Sequence, residues 1–240
     1  MFKPESPFLN IPTNTNLRQA FFLDGIRHAF EIADYAFSRL TSNLRELVRH
    51  HSDLVRPNGY AKYFLDAWAF VDSVDRLLAL WKLQPNADTI PDSWCPSRLG
   101  NELQQIRNIR NVSDHLAQRV DQIISSNSSA LGELSWVRVF SLEPPVMKSF
   151  LIRPGFLPGK LNFQLNIPRN NLNIHNSIAN ILLKAHTYTA DLSETYMKVT
   201  DLAHFAEASL HENFKTQNIQ KTHGADMLAS CDLQFPEQSD

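Results

Sequence analysis

A chain of 240 residues that is 43% hydrophobic, 20% charged and 10% aromatic is long enough to bury a core and too mixed for a collagen-like, coiled-coil or wholly disordered protein. Seven glycines disfavour Gly-rich phosphate cradles, and 23 Lys+Arg against 25 Asp+Glu give a net charge of −2, without the global positive field that advertises a polyanion partner. Cys95 and Cys231 stand far apart and without metal-ligand spacing, which excludes a disulfide framework or zinc ribbon and predicts a reducing, cytoplasmic setting.

The start, Met1-Phe2-Lys3-Pro4-Glu5, lacks the basic and apolar regions of a signal peptide, and no segment offers roughly 18 charge-free apolar residues, so no membrane passage is expected. After a Pro- and Asn-rich lead-in, Thr15 or Asn16 is a suitable N-cap for a long helix from Leu17 to about His50. Its apolar residues Phe22, Ile26, Ala29, Phe30, Ala33, Phe37, Leu40, Leu44 and Val48 recur at three- and four-residue steps. A Pro57-Asn58-Gly59 turn precedes a second predicted helix, Tyr60 to about Leu83, with Phe64, Trp68, Val71, Val74, Leu77, Leu78 and Trp81 inward. A Pro-, Asp- and Ser-dense loop spans Pro85 to Pro96, and Ser97 then caps a third helix, Arg98 to about Ser125.

The Ser- and Asn-rich run 125–129 ends that helix, and Leu134–Phe140, Lys148–Ile152 and Leu161–Ile167 read as strands separated by Pro144-Pro145 and by a Pro-Gly-rich stretch from Pro154 to Gly159. Helical spacing of Ile178, Ile181, Leu182, Ala185, Leu192, Met197, Leu202, Phe205 and Leu210 predicts a fourth helix from about Asn176 to Phe214. The expected fold is mainly α: an antiparallel four-helix bundle forming one domain over 1–215, with a small β-rich insert at about 131–170 between the third and fourth helices. Polar, aperiodic residues 216–240 are expected to form a flexible tail.

The densest polar cluster beside an apolar stripe is Arg107-Asn108-Ile109-Arg110-Asn111-Val112-Ser113-Asp114-His115. At about 100° per residue, Arg107, Asn111 and His115 form one i, i+4 ladder and Arg110 and Asp114 another. Arg110 and His115 are then about 140° apart on an ideal helix. A shared site therefore needs a long reach by the arginine, a local bend, or a second copy of the chain.

Arg110-Asn111 followed by His115 resembles the signature of the HEPN superfamily, an Arg and a polar residue with a His a few positions on. The surrounding phrase from Ile109 to Asp121 is similar to uncharacterised bacterial HEPN-like proteins, and Tyr63 to Leu78 to the helix that precedes the motif in them. The resemblance covers about residues 17–125. It implies a dimerising helical bundle that, in active members, cleaves RNA without a metal ion or other cofactor. Under that reading Arg110 and His115 are catalytic, Arg107, Asn111 and Asp114 bind or orient substrate, and the protein is a toxin or defence effector, with a regulatory protein as a further partner.

The chemistry also follows from first principles. Attack of a ribose 2′-OH on the adjacent phosphate needs a base, an acid and positive charge for the developing oxyanion. One His and one Arg per chain are too few for all three, whereas a homodimer with the third helices near its axis supplies two of each.

The competing reading is a non-catalytic helical module binding a protein or nucleotide partner, in which His115 is a structural residue and Arg110–Asp114 an ordinary i, i+4 pair. Other clusters are weaker. His50-His51 suits a helix C-terminus, His204 and His211 with Glu207 a solvated face, and of the carboxylates Asp66, Asp72 and Asp75 the last two share a face and are expected to pair with Arg76. No Gly-x-Ser-x-Gly elbow, P-loop, His-Glu-x-x-His or Rossmann fingerprint is present.

Overall fold

The computed structural model describes residues 1–49, 59–85, 87–125, 128–155, 172–215, 222–223 and 226–230. Asn16 caps the first helix, α1 (Leu17–Arg49), its Oδ1 accepting the Arg18 amide at 2.9 Å. Ile26, Ala29, Phe30, Ala33, Phe37, Leu40 and Leu44 of the predicted stripe are buried against α2 (Ala61–Leu83), which contributes Phe64, Val71, Val74, Leu77, Leu78 and Trp81. The two helices approach closely at Gly25, where a Cβ would stand 3.1 Å from a Leu80 methyl. A charged clamp joins them on one side: the buried Asp66 carboxylate accepts hydrogen bonds from Arg39 Nε (2.9 Å) and Asn43 Nδ2 (3.0 Å).

The third predicted helix is broken into pieces. Short 3-10 turns at Ala87–Thr89 and Asp92–Trp94 lead into α3 (Pro96–Glu102), α4 (Gln104–Asp114), a 3-10 turn at Leu116–Arg119 and α5 (Val120–Ser125). The breaks fall at Leu103 (φ −103°, ψ 19°) and His115 (φ −109°, ψ 22°). At the second break Val112, Ser113, Asp114 and His115 all come from the weaker half of the helix-propensity scale, so little local preference carries the helix onward.

The fourth predicted helix begins 16 residues late. Ile178–Ala185 is a strand, β4, and the helix proper, α6, runs Leu192–Lys215. Ile178, Ile181, Leu182 and Ala185 satisfy helical steps, yet Ile181, Leu183 and Ala185 are buried on one face at the alternation of a strand. Asn176 (φ 51°) and Ser177 (φ 63°) make the tight turn into β4 from β3 (Ile174–His175), and the His186-Thr187 turn leads on to β5 (Tyr188–Asp191). Asp191 caps α6, its Oδ1 accepting the Glu194 amide at 2.9 Å.

β1 (Glu133–Leu142) and β2 (Pro145–Ile152), which contain the first two strands read from the sequence, pair as an antiparallel hairpin. The sheet is antiparallel in the order β2-β1-β4-β3, with β5 beside β3 on the same edge of β4. A register shift between Ser135 and Val137 faces the left-handed Asn180 of β4, a β-bulge that bends the sheet. Gly132 (φ 84°) is required where the chain enters β1, because a Cβ there would stand 2.4 Å from the Lys184 carbonyl oxygen.

One face of this sheet belongs to the main core. Leu134, Trp136, Ile152, Ile178, Ile181 and Leu183 are buried in the same cluster as α1, α2 and α6. Val137, Val139 and Ala179 form a smaller cluster with Leu172. The expected four-helix bundle with a minor insert is thus corrected: among the described residues, six α-helices and a five-stranded antiparallel sheet make a mixed α/β fold. The sheet extends to residue 191, well past the predicted insert boundary near 170. The predicted strand at 161–167 lies outside the described residues.

Two further tertiary features were not read from the sequence. Phe8 and Ile11 of the lead-in are buried, with Phe2, Phe8 and Phe30 forming an aromatic group. Parts of the C-terminal segment are also seated on the protein: Thr222 bridges to Pro12, and the His223 amide donates to the Ile11 carbonyl at 2.8 Å.

Tyr196 of α6 stacks on Phe37 (4.1 Å between centroids) and donates its hydroxyl to Asp34 at 2.6 Å. Burial, followed by the bond to the Asp34 carboxylate, pushes its phenol up to about 12. A raised folded pKa stabilises the fold fully below the ordinary tyrosine value and loses that contribution as pH rises through about 12. An absorbance titration at alkaline pH is expected to show a late-ionising phenol that Tyr196→Phe removes. A titration curve unchanged by that substitution contradicts the Tyr196–Asp34 contact.

Candidate functional site

Ile106, Ile109 and Val112 are buried and hold α4 against the body, which leaves its polar ladders facing α2 and solvent. Arg107 Nε lies 3.4 Å from Asp75, and Arg110 Nε lies 3.5 Å from Asp72 and 3.8 Å from Asp75. Arg110 also pairs with Asp114, the i, i+4 partner read from the sequence. Asp72 and Asp75 therefore meet the arginines of α4 instead of the Arg76 expected from helix spacing alone, because α4 crosses their face of α2.

His115 is exposed and ends α4, with its Nδ1 3.1 Å from Gln118 Oε1 and its carbonyl accepting the Gln118 amide at 3.1 Å. The helix is regular through Asp114, so the break redirects the chain that follows His115. Asn111 is exposed on the same helix. The motif residues are spread along α4 from Arg107 to its C-terminal cap, and Arg107 and Arg110 are ion-paired to carboxylates while His115 has its contact with Gln118. A phosphate approaching Arg110 has to replace a carboxylate. Asp72 is 56% and Asp114 42% exposed, and ion pairs this open contribute about 0–1 kcal/mol each, so the exchange costs little.

The remaining sequence candidates separate. Asp66 is buried in its clamp with Arg39 and Asn43, away from the Asp72–Asp75 pair. His204 and His211 are exposed on α6, and His50-His51 lie outside the described residues. Cys95 carries a free thiol, drawn below its usual range first by a hydrogen bond with Ser97.

One charged cluster was missed. Arg27 of α1 is buried, and its guanidinium donates to Asp24 (3.0 Å), Glu31 (3.2 Å) and Asp226 (2.7 Å). The hydrogen bond from Arg27 holds the Asp226 carboxyl below the usual carboxylate range. Asp24, His28 and Asp226 have ligand atoms within 4.8 Å of one another, but the guanidinium already occupies the two carboxylates and opposes a metal cation there. Asp24, Arg27 and His28 at i, i+3 and i+4 were visible in the sequence; Asp226, 199 residues beyond Arg27, was not.

Among the described residues no helix is long and apolar enough to cross a membrane. No protein-family model, curated protein or solved structure matches the chain.

Proposed function

We propose that this protein is a metal-independent endoribonuclease of HEPN type whose site is completed when two copies bring their α4 helices together. The observation that supports it best is the end of α4 at His115, which leaves an exposed imidazole five residues beyond Arg110. In the reaction His115 of one copy takes the 2′-OH proton, the 2′-oxygen attacks phosphorus, and the bond from phosphorus to the 5′-oxygen breaks. The second copy's His115 gives its proton to the leaving oxygen, so the products end in a 2′,3′-cyclic phosphate and a 5′-hydroxyl. Arg110 stabilises the added negative charge on the phosphoryl oxygens, and Arg107 and Asn111 orient the strand. Asp114 fixes the Arg110 fork until substrate arrives. The setting is a toxin or defence effector in a reducing cytoplasm, held in check by a regulatory protein.

The test is incubation of the purified chain with RNA in EDTA and analysis of the product ends. Association is a separate readout. Light scattering is expected to give a dimer at micromolar concentration. Arg110→Glu is expected to give a monomer, since it sets a fourth carboxylate beside Asp72, Asp75 and Asp114. A wild-type monomer removes the composite site.

A second reading has its own observation. Three carboxylates compensate Arg110, an arrangement that suits a non-catalytic module docking a protein or nucleotide partner through α4. A wild-type protein that dimerises yet leaves RNA intact favours it.

A further inference from the structure

A separate cavity lies on α1, where the lead-in and the C-terminal segment meet that helix. It has a volume of about 260 Å³ and is walled by Phe8, Leu9, Ile11, Leu17 and Phe21. Leu17 and Phe21 are 77% and 72% exposed, so the apolar wall continues to the surface. Four polar residues line the same cavity. Arg27, whose side chain is only 6% exposed, is joined by its carboxylate partners Asp24 and Asp226 and by His223, whose buried Nε2 has no hydrogen-bond partner among the described residues. A fixed guanidinium, an unsatisfied imidazole nitrogen and apolar walls together are the composition of a small-ligand site.

The chemistry at its head is already displayed by the protein. Asp226 reaches Arg27 with both oxygens, Oδ1 at 2.7 Å from Nη2 and Oδ2 at 3.3 Å from Nη1, the two-point geometry in which arginine reads a carboxylate. Asp226 is 68% exposed and belongs to a distant part of the chain, whereas Asp24 and Glu31 sit on α1 itself and keep Arg27 paired without it. We propose that this cavity binds short-chain apolar carboxylates, the ligand's carboxylate displacing Asp226 from Arg27 while its hydrocarbon fills the Phe8–Ile11–Phe21 wall. Asp226 then acts as a built-in competitor for the site.

The class is set by charge and size. A monoanion replaces Asp226 charge for charge, while a phosphate dianion adds repulsion against Asp24 and Glu31, each within 3.2 Å of the same guanidinium. A volume of about 260 Å³ falls below the ~300–1,000 Å³ of pockets for drug-sized molecules, which points to a chain of a few carbons.

The probe is hexanoate, titrated into the full chain by calorimetry, with acetate and 1-hexanol as controls lacking the tail and the charge. Hexanoate is expected to bind saturably and both controls to bind far more weakly. If the Asp226 contact is formed in about nine molecules of ten, Asp226→Ala tightens hexanoate binding about tenfold by removing the competitor. Arg27→Gln is expected to weaken it at least about tenfold, the loss of a charge-assisted hydrogen bond. Arg27→Lys keeps the charge without the fork and falls between. Should Arg27→Gln not fold, Asp226→Ala decides alone, since that residue is exposed. Hexanoate affinity that is absent in Asp226→Ala, or identical in it and the wild type, overturns the proposal.

Discussion

His115→Ala is expected to lower RNA cleavage in EDTA by about 10²–10⁴-fold or more, because in a homodimer the one substitution removes both the proton acceptor and the proton donor. The fold should be untouched. His115 is exposed, and its side chain contacts Gln118 on the following turn without entering the core. Far-UV dichroism and thermal melting of the variant are therefore expected to match the wild type. Mixed dimers carrying one altered copy keep a single imidazole and should recover little activity, which separates a two-histidine site from two independent ones. Cleavage that persists in His115→Ala assigns the activity to another residue or a contaminant.

The largest loss of stability is expected from Phe37→Ala, about 3–5 kcal/mol as for other fully buried aromatic truncations. Phe37 is 1% exposed and meets three other elements: it stacks on Tyr196 of α6 at 4.1 Å and lies 5.5 Å from both Phe70 of α2 and His175 of β3. Because the sheet and the helices bury their side chains in one cluster, helix and strand signals are expected to melt in a single transition that shifts as a unit in the variant. Chemical denaturation followed by far-UV dichroism and by tryptophan fluorescence checks this, since Trp136 reports from β1 and Trp81 from α2. Two separated transitions show a sheet that is cored independently of the helices.

The helical elements legible in the sequence are those whose burial pattern has one period over many turns. α1 and α2 were read to within about one residue at each end because their stripes run for 33 and 23 residues and only a helix satisfies them. Residues 178–185 were misread because the apolar set there fits both a 3.6-residue and a 2-residue period over so short a span. The local signals that separate the two were the Asn176-Ser177 turn and the Asp191-x-x-Glu194 cap, which mark a hairpin and a later helix start.

The sequence by itself determined the paired long helices, the first two strands and the candidate Arg110–His115 motif, since each depends on residues a few positions apart. Only the tertiary structure decided that Asp72 and Asp75 face Arg107 and Arg110, that the sheet shares the helical core, and that Asp226 meets Arg27. The physical reason is range. Periodicity and capping are set by neighbours within about one or two turns, whereas charge partners and the burial of a sheet face depend on elements brought together by hydrophobic packing. A sequence displays which side chains seek a partner, and the fold selects which partner each one finds.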